Sequence, residues 1–347
     1  MLPCWTIALD ATYILADEPT GISVYSREIL HGLAAAWPEA RFLACYRPHR
    51  FLRSLRTPLP ANCRRRVLFE HGWGLAPDLF HGLNQRLPAR RLRRAVSTFH
   101  DLFVLTADYS TADFRRRFAE QARRAAARSD LIIAVSEFTA AQVRDLLGVE
   151  PGRIRVVPHG VHLPETPPSS NREPFILHVG AIQKRKNLVR LVRAFARLPR
   201  NWRLVLAGSS GYGAAEVFEE ITRSPRRGDI EVTGYVPQAR LEELYRRAAL
   251  LAFPSLDEGF GLPVLEAMAR GLPVLTSNRS ALAEVAGDAA LLVDPEDEEA
   301  LGWALERLAG DAELRQSLAA RGLARARLFP WRRAIEATRR VYEELLG

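Results

Sequence analysis

Glu258 and Glu266 frame the stretch of this chain best equipped for chemistry, Glu258-Gly259-Phe260-Gly261-Leu262-Pro263-Val264-Leu265-Glu266. An apolar run, Leu250-Leu251-Ala252-Phe253-Pro254, leads into it and has the character of a buried strand. Pro263 suits the first turn of a helix, where its missing N–H costs nothing. The helix is expected to open there, run on to Arg270 and stop at Gly271, a normal residue just past a helix end. A second apolar run, Pro273-Val274-Leu275-Thr276, follows. The order strand, loop, helix, strand places the loop at the carboxyl end of a parallel strand, where open α/β sheets bind ligands. Gly259 and Gly261 allow the backbone to approach a ligand closely. The first N–H groups of the helix suit a phosphate, whereas the two carboxylates suit hydroxyls. A molecule with sugar hydroxyls at both ends and phosphates in the middle fits: a nucleotide sugar.

A second cluster complements the first. Phe175-Ile176-Leu177-His178-Val179-Gly180 reads as a buried strand, and a helix is expected over 188–198. Between them stands Gln183-Lys184-Arg185-Lys186-Asn187. Three cations at a helix start after a strand make a diphosphate grip, fixed charge plus helix amides. Lys184 and Lys186 are the only lysines in a chain that otherwise uses Arg, which points to a need for a compact charge there.

The string Phe253-Pro254-Ser255-Leu256-Asp257-Glu258-Gly259-Phe260-Gly261-Leu262-Pro263-Val264-Leu265-Glu266-Ala267 resembles the Glu-x7-Glu motif of the retaining glycosyltransferases of family four, which have the GT-B fold. The likeness extends over nearly the whole chain and implies two Rossmann-like α/β domains facing across a cleft. It implies that Arg185 and Lys186 hold the donor diphosphate, that Glu266 holds the ribose, and that Glu258 contacts the donor sugar. Gly259, Phe260, Gly261 and Leu262 then line the donor site. Thr20-Gly21-Ile22-Ser23-Val24-Tyr25 is similar to the family's first-domain turn, which places Gly21 near the donor. His100, after the strand 95–99, matches the family histidine beside the donor sugar. Ile230-Glu231-Val232-Thr233-Gly234-Tyr235-Val236 resembles the strand that meets the nucleobase through backbone atoms, near Val236. One departure stands out: many members carry Arg directly after the strand glycine, and this chain has Ala181. The Gln-Lys-Arg-Lys-Asn version is similar to members that move mannose from GDP-mannose in surface polysaccharide synthesis. A UDP-sugar donor, or a nucleotide-sugar-binding scaffold without turnover, is the alternative. An epimerase of the same fold would want more acids around the site.

Composition sets outer limits. The 347 residues suit two domains, and 48% apolar content suffices for buried cores. Residues 1–165 are expected to form the first domain, 166–329 a nucleotide-sugar-binding second domain, and 330–347 a helix returning to the first. The proline-rich 164–174 reads as the linker. The opening ten residues read as a strand rather than a secretory signal, and no apolar run is long enough to cross a membrane. Cys4, Cys45 and Cys63 lack metal-ligand spacing and suit a reducing cytoplasm. Most of the net charge of +9 falls in the first half, in Arg64-Arg65-Arg66, Arg90 to Arg94 and Arg115-Arg116-Arg117. That field suits a glycan or lipid-linked acceptor and a peripheral contact with the inner face of an anionic membrane. No helix-turn-helix or stacking platform accompanies it, which argues against nucleic acid. No Gly-x-Gly-x-x-Gly follows the first strand, and Gly208-Ser209-Ser210-Gly211-Tyr212-Gly213 lacks a phosphate-loop lysine. With no Asp-x-Asp triplet, a divalent-metal clamp has no obvious ligands; neither metal nor other cofactor is expected.

Overall fold

A computed structural model describes residues 5–71, 74–169 and 171–347. Cys4, and Ser170 in the expected linker, lie outside the described residues. The chain divides into two compact units. The first comprises Met1–Leu105, Asp113–Gly160 and Trp331–Gly347; the second comprises Thr106–Ala112 and Val161–Pro330.

The first unit is built on seven parallel strands: β1 (Thr6–Asp10), β2 (Arg41–Tyr46), β3 (Cys63–Val67), β4 (Leu79–Gly82), β5 (Ala95–Phe99), β6 (Leu131–Ala134) and β7 (Ile154–Val156). Their order is β3-β2-β1-β4-β5-β6-β7. Strands β1, β4, β5 and β6 are buried along almost their whole length because helices cover both faces of a parallel sheet. One core layer unites Ile7, Leu9, Tyr25, Ile29, Leu33 and Phe42 with Trp331 and Tyr342. The terminal helix Trp331–Leu346 therefore belongs to this core, against the helix Gly21–Ala36. Gly32 makes that approach possible, since a Cβ there would lie 2.1 Å from the Ile335 side chain.

Two elements of this unit leave little trace in the sequence. The third strand begins at Cys63. It is an edge strand whose Arg64 and Arg66 face solvent, so it lacks the apolar signature of its neighbours. Ahead of it, the short helix Pro48–Ser54 is opened by Pro48.

The second unit carries six parallel strands: β8 (Glu173–Val179), β9 (Arg203–Ala207), β10 (Ile230–Gly234), β11 (Ala248–Phe253), β12 (Val274–Ser277) and β13 (Leu291–Val293). Their order, β10-β9-β8-β11-β12-β13, repeats the pattern of the first unit without any repeat in sequence. Strand β8 begins inside the stretch expected to be linker. The chain runs outward in opposite directions from the β8–β11 pair, so the crevice beyond their carboxyl ends is the topological switch point. Its core layer joins Ile176, Leu191, Phe195, Leu204, Leu250, Leu275 and Leu305.

Candidate active site

Both loops singled out in the sequence leave the two strands at that switch point. After β8, Gly180 takes a φ of 139° and the chain enters a 3-10 turn, Lys184–Lys186. Asn187, at φ 60°, ends the turn and caps the helix Leu188–Phe195. Its side chain is tied down, donating to Pro295 O at 2.6 Å. After β11, the loop 254–261 is almost wholly buried. The two loops are stitched together through backbone atoms. Leu256 N–H donates to Arg185 O at 2.8 Å, and the Arg185 guanidinium donates to Asp257 O at 3.0 Å.

At the centre of this contact is Glu258. Its Oε1 receives both Lys186 Nζ at 2.5 Å and Arg185 Nη1 at 2.7 Å. Lys186 is 6% exposed and Glu258 8%. The ammonium also lies 4.4 Å from the centroid of the Phe253 ring, a cation–π contact that helps to hold a buried charge. Burial alone would raise the Glu258 carboxyl. The Arg185 and Lys186 charges and hydrogen bonds override it and hold the group down at about 2. The lysine places a compact charge between the Phe253 ring and the Glu258 carboxylate. Lys184 is exposed.

The backbone of Glu258 is fixed from behind by the helix Ser280–Ala286. Ser280 Oγ accepts from Glu258 N–H at 3.2 Å, and Ala281 N–H donates to Glu258 O at 3.2 Å. Thr106 donates to Asp257 Oδ2 at 2.9 Å. The sequence reading missed Ser280 and Thr106. For the first a signal existed, since the apolar spacing of Ala281, Leu282 and Val285 marks a helix.

The next helix spans Leu262–Ala269, one residue earlier than the expected opening at Pro263, which still occupies the first turn. Gly261 caps it with φ 96°. Phe260 is buried and packs edge-on against Phe329, ring centroids 6.1 Å apart, so its ring serves the core of the unit. Glu266 is half-buried. Its Oε2 accepts from the phenol of Tyr245 at 2.9 Å, and its carbonyl accepts from Arg270 at 2.7 Å. Burial raises the Glu266 carboxyl, opposed by the Tyr245 hydrogen bond and the Arg270 charge. The two glutamates are thus pushed in opposite directions. Gly259 is buried within the loop, and half-buried Val236 follows the edge strand β10.

Gly21 and His100 belong to the first unit. Gly21 is exposed and opens the helix Gly21–Ala36. His100 follows β5 and is buried. Its Nε2–H donates to Leu83 O at 2.9 Å, while Nδ1 faces His159 Nε2 at 3.4 Å. The two imidazoles stack with centroids 5.3 Å apart, and Tyr25 meets both edge-on. Burial lowers the His100 pKa to about 4, so it is neutral at pH 7. Both of its ring nitrogens are engaged inside the unit. His159, which reads as an ordinary loop residue in the sequence, is its partner.

Among the described residues, no group of three or more His, Cys, Asp or Glu is placed to hold a metal ion.

A six-stranded doubly wound unit with a cation turn and a glutamate loop at its switch point, in a chain that also carries a second doubly wound unit, defines a glycosyltransferase of the GT-B class. The family profile "Glycosyltransferase Family 4" matches residues 19–165, and "Glycosyl transferases group 1" matches residues 163–325. O-antigen chain mannosyltransferase B of Escherichia coli is 34% identical over 284 residues, covering 77% of this chain and 74% of the relative. D-inositol 3-phosphate glycosyltransferase of Kineococcus radiotolerans is 32% identical over 247 residues, 62% of this chain and 57% of its own. Among solved structures, sucrose-phosphate synthase from Thermosynechococcus elongatus superposes with a TM-score of 0.80 at 22% identity, covering 98% of this chain and 99% of that one. The chain belongs to glycosyltransferase family four.

Proposed function

We propose that this chain is a retaining, metal-independent transferase that moves mannose from GDP-mannose to a glycan or lipid-linked acceptor in surface polysaccharide synthesis. The observation that carries the reading is the buried Arg185–Lys186–Glu258 cluster at the switch point of the second unit. Two cations and one carboxylate leave one net positive charge where a diphosphate would sit. The name of the Escherichia coli relative favours mannose.

In this reading Arg185, Lys186 and the first amides of the helix Leu262–Ala269 stabilise charge developing on the leaving diphosphate. The bond from the anomeric carbon to the phosphate oxygen breaks. The acceptor hydroxyl bonds to that carbon on the same face, and its proton passes to the departing phosphate oxygen. Glu258 steadies positive charge near the anomeric carbon, and Glu266 accepts from the ribose hydroxyls. His100 and Gly21 are assigned to the donor sugar by the family pattern alone; His100 would have to exchange a present partner to serve. On the first unit, a cavity of about 180 Å³ lined by Arg86, Arg117, Arg124 and Arg128 beside Glu70 and Glu120 favours a phosphate-bearing acceptor.

The test is thermal shift and donor hydrolysis with GDP-mannose, UDP-glucose, UDP-galactose and UDP-N-acetylglucosamine, with and without EDTA, on wild type and Glu266→Ala. Selective stabilisation by GDP-mannose with slow hydrolysis, unchanged by EDTA and lost in the variant, is expected. A preference for a UDP-sugar would replace the donor assignment. Strong inhibition by EDTA would overturn metal independence, and binding without turnover on any acceptor would leave a scaffold.

A further inference from the structure

We propose that Tyr245 is a positioning residue for Glu266: its phenol pins one carboxylate oxygen in place and so leaves the other aimed at the ribose hydroxyls of the donor. The inference rests on the ribose role proposed above for Glu266. Tyr245 lies on the helix Gln238–Arg247 and Glu266 on the helix Leu262–Ala269, one on each side of β11 in sequence. The Tyr245 side chain is fully buried, and its hydroxyl donates to Glu266 Oε2 at 2.9 Å. Among the described residues no protein group donates to Oε1. One oxygen is anchored and the other is left open, the arrangement a hydroxyl ligand requires.

The anchor is itself braced. The Arg270 guanidinium lies 5.0 Å from the Tyr245 ring centroid, over its face. It donates to Glu242 Oε2 at 2.7 Å and to the Glu266 carbonyl at 2.7 Å. The ring therefore cannot turn without disturbing a charged pair. The charged and titratable groups facing the Glu266 carboxylate are Tyr245, Arg270 and Glu242. Burial raises the Glu266 carboxyl and the Tyr245 hydrogen bond opposes that rise. Without the phenol, Glu266 would take up a proton at a higher pH and lose its hold on a hydroxyl donor. Burial raises the phenol well above its usual range, so it stays a donor at neutral pH.

The experiment is calorimetric titration of Tyr245→Phe, Glu266→Ala and wild type. The probes are GDP or UDP, whichever the wild type binds more tightly, and its 2′,3′-dideoxy counterpart, from pH 8 to 5.5. A hydrogen bond to a charged group corresponds to roughly tenfold in affinity. Tyr245→Phe is expected to weaken the ribonucleotide about tenfold and leave the dideoxy form unchanged. It should also move the acid limb of binding to higher pH, and raise KM for the donor with kcat held within about twofold. Because both nucleotides are titrated into one preparation, a reduced folded fraction cancels in their ratio. An equal loss for both nucleotides, or no loss for either, would overturn the positioning role. If Glu266→Ala itself leaves the ribose-to-dideoxy ratio at the wild-type value, the ribose reading of Glu266 fails instead, and this inference with it.

Discussion

Glu258 holds, in the free protein, the two cations that a donor diphosphate would need. Lys186 Nζ and Arg185 Nη1 converge on one of its oxygens in a site where all three side chains are largely removed from water. Removing one member of a buried ion pair is strongly destabilising, on the order of 3–5 kcal/mol, because the remaining charge is left uncompensated. Glu258→Gln keeps the shape and removes the charge, so it should lower the melting temperature of the free protein. A bound diphosphate would then supply the missing negative charge. The variant should therefore bind the nucleoside diphosphate more tightly than wild type, while transferring sugar far more slowly. Paired calorimetry and turnover assays test this. Weaker diphosphate binding in Glu258→Gln would mean that the carboxylate and the diphosphate do not share the cations.

The element that holds this residue in place is the loop between β11 and the helix Leu262–Ala269, and its critical joint is Gly261. The residue sits at φ 96°, and a Cβ there would lie 2.5 Å from Leu282 Cδ2. Gly261→Ala should cost about 1–3 kcal/mol from backbone strain and overpacking. It should also abolish donor binding, because Leu282 belongs to the same helix that fixes the Glu258 backbone. Melting curves with and without donor separate the two effects; a variant with wild-type donor affinity would show that the loop tolerates the shift. Much of this element was legible in the sequence. The apolar run of β11, the glycine pair, the proline in the first helical turn and the glycine after its end are local signals, and each sits where its backbone chemistry requires. The cation turn was equally plain, because lysine is so rare in this chain. What escaped were features with no local signature. The strand Cys63–Val67 is an edge strand of three successive arginines, and the helix Pro48–Ser54 is too short to show a period. Tyr245 and His159 look like ordinary helix and loop residues. Their roles come from segments distant in sequence, so no spacing rule could expose them.

Across the molecule the buried imidazoles set a common response to acid. His81, His100 and His159 lie in the first unit and His178 in the second, each 7% exposed or less. Burial lowers all four, His81 and His178 to about 3 and His100 to about 4. In the unfolded chain each takes up its proton near the ordinary value of 6.5. Between about pH 6.5 and pH 4 the unfolded state therefore binds more protons than the folded one, and stability must fall as the pH falls. By pH 5 the loss is on the order of 1–2 kcal/mol for each of His81, His100 and His178, and His159 acts in the same direction. Carboxylates do not account for the same window. Glu258, held at about 2, keeps its contribution above its unfolded value of 4.5 and loses it only toward pH 2. Asp10 and Glu266, whose carboxyls burial raises, bind protons more readily when folded and act in the opposite direction. Urea midpoints should accordingly decline steadily from pH 7 to pH 5. His159→Phe, which keeps an aromatic ring against His100 and Tyr25, should flatten that slope by one histidine's share while leaving the response below pH 4 in place. A midpoint independent of pH over this range would show that these imidazoles titrate in the folded protein as they do in the unfolded chain.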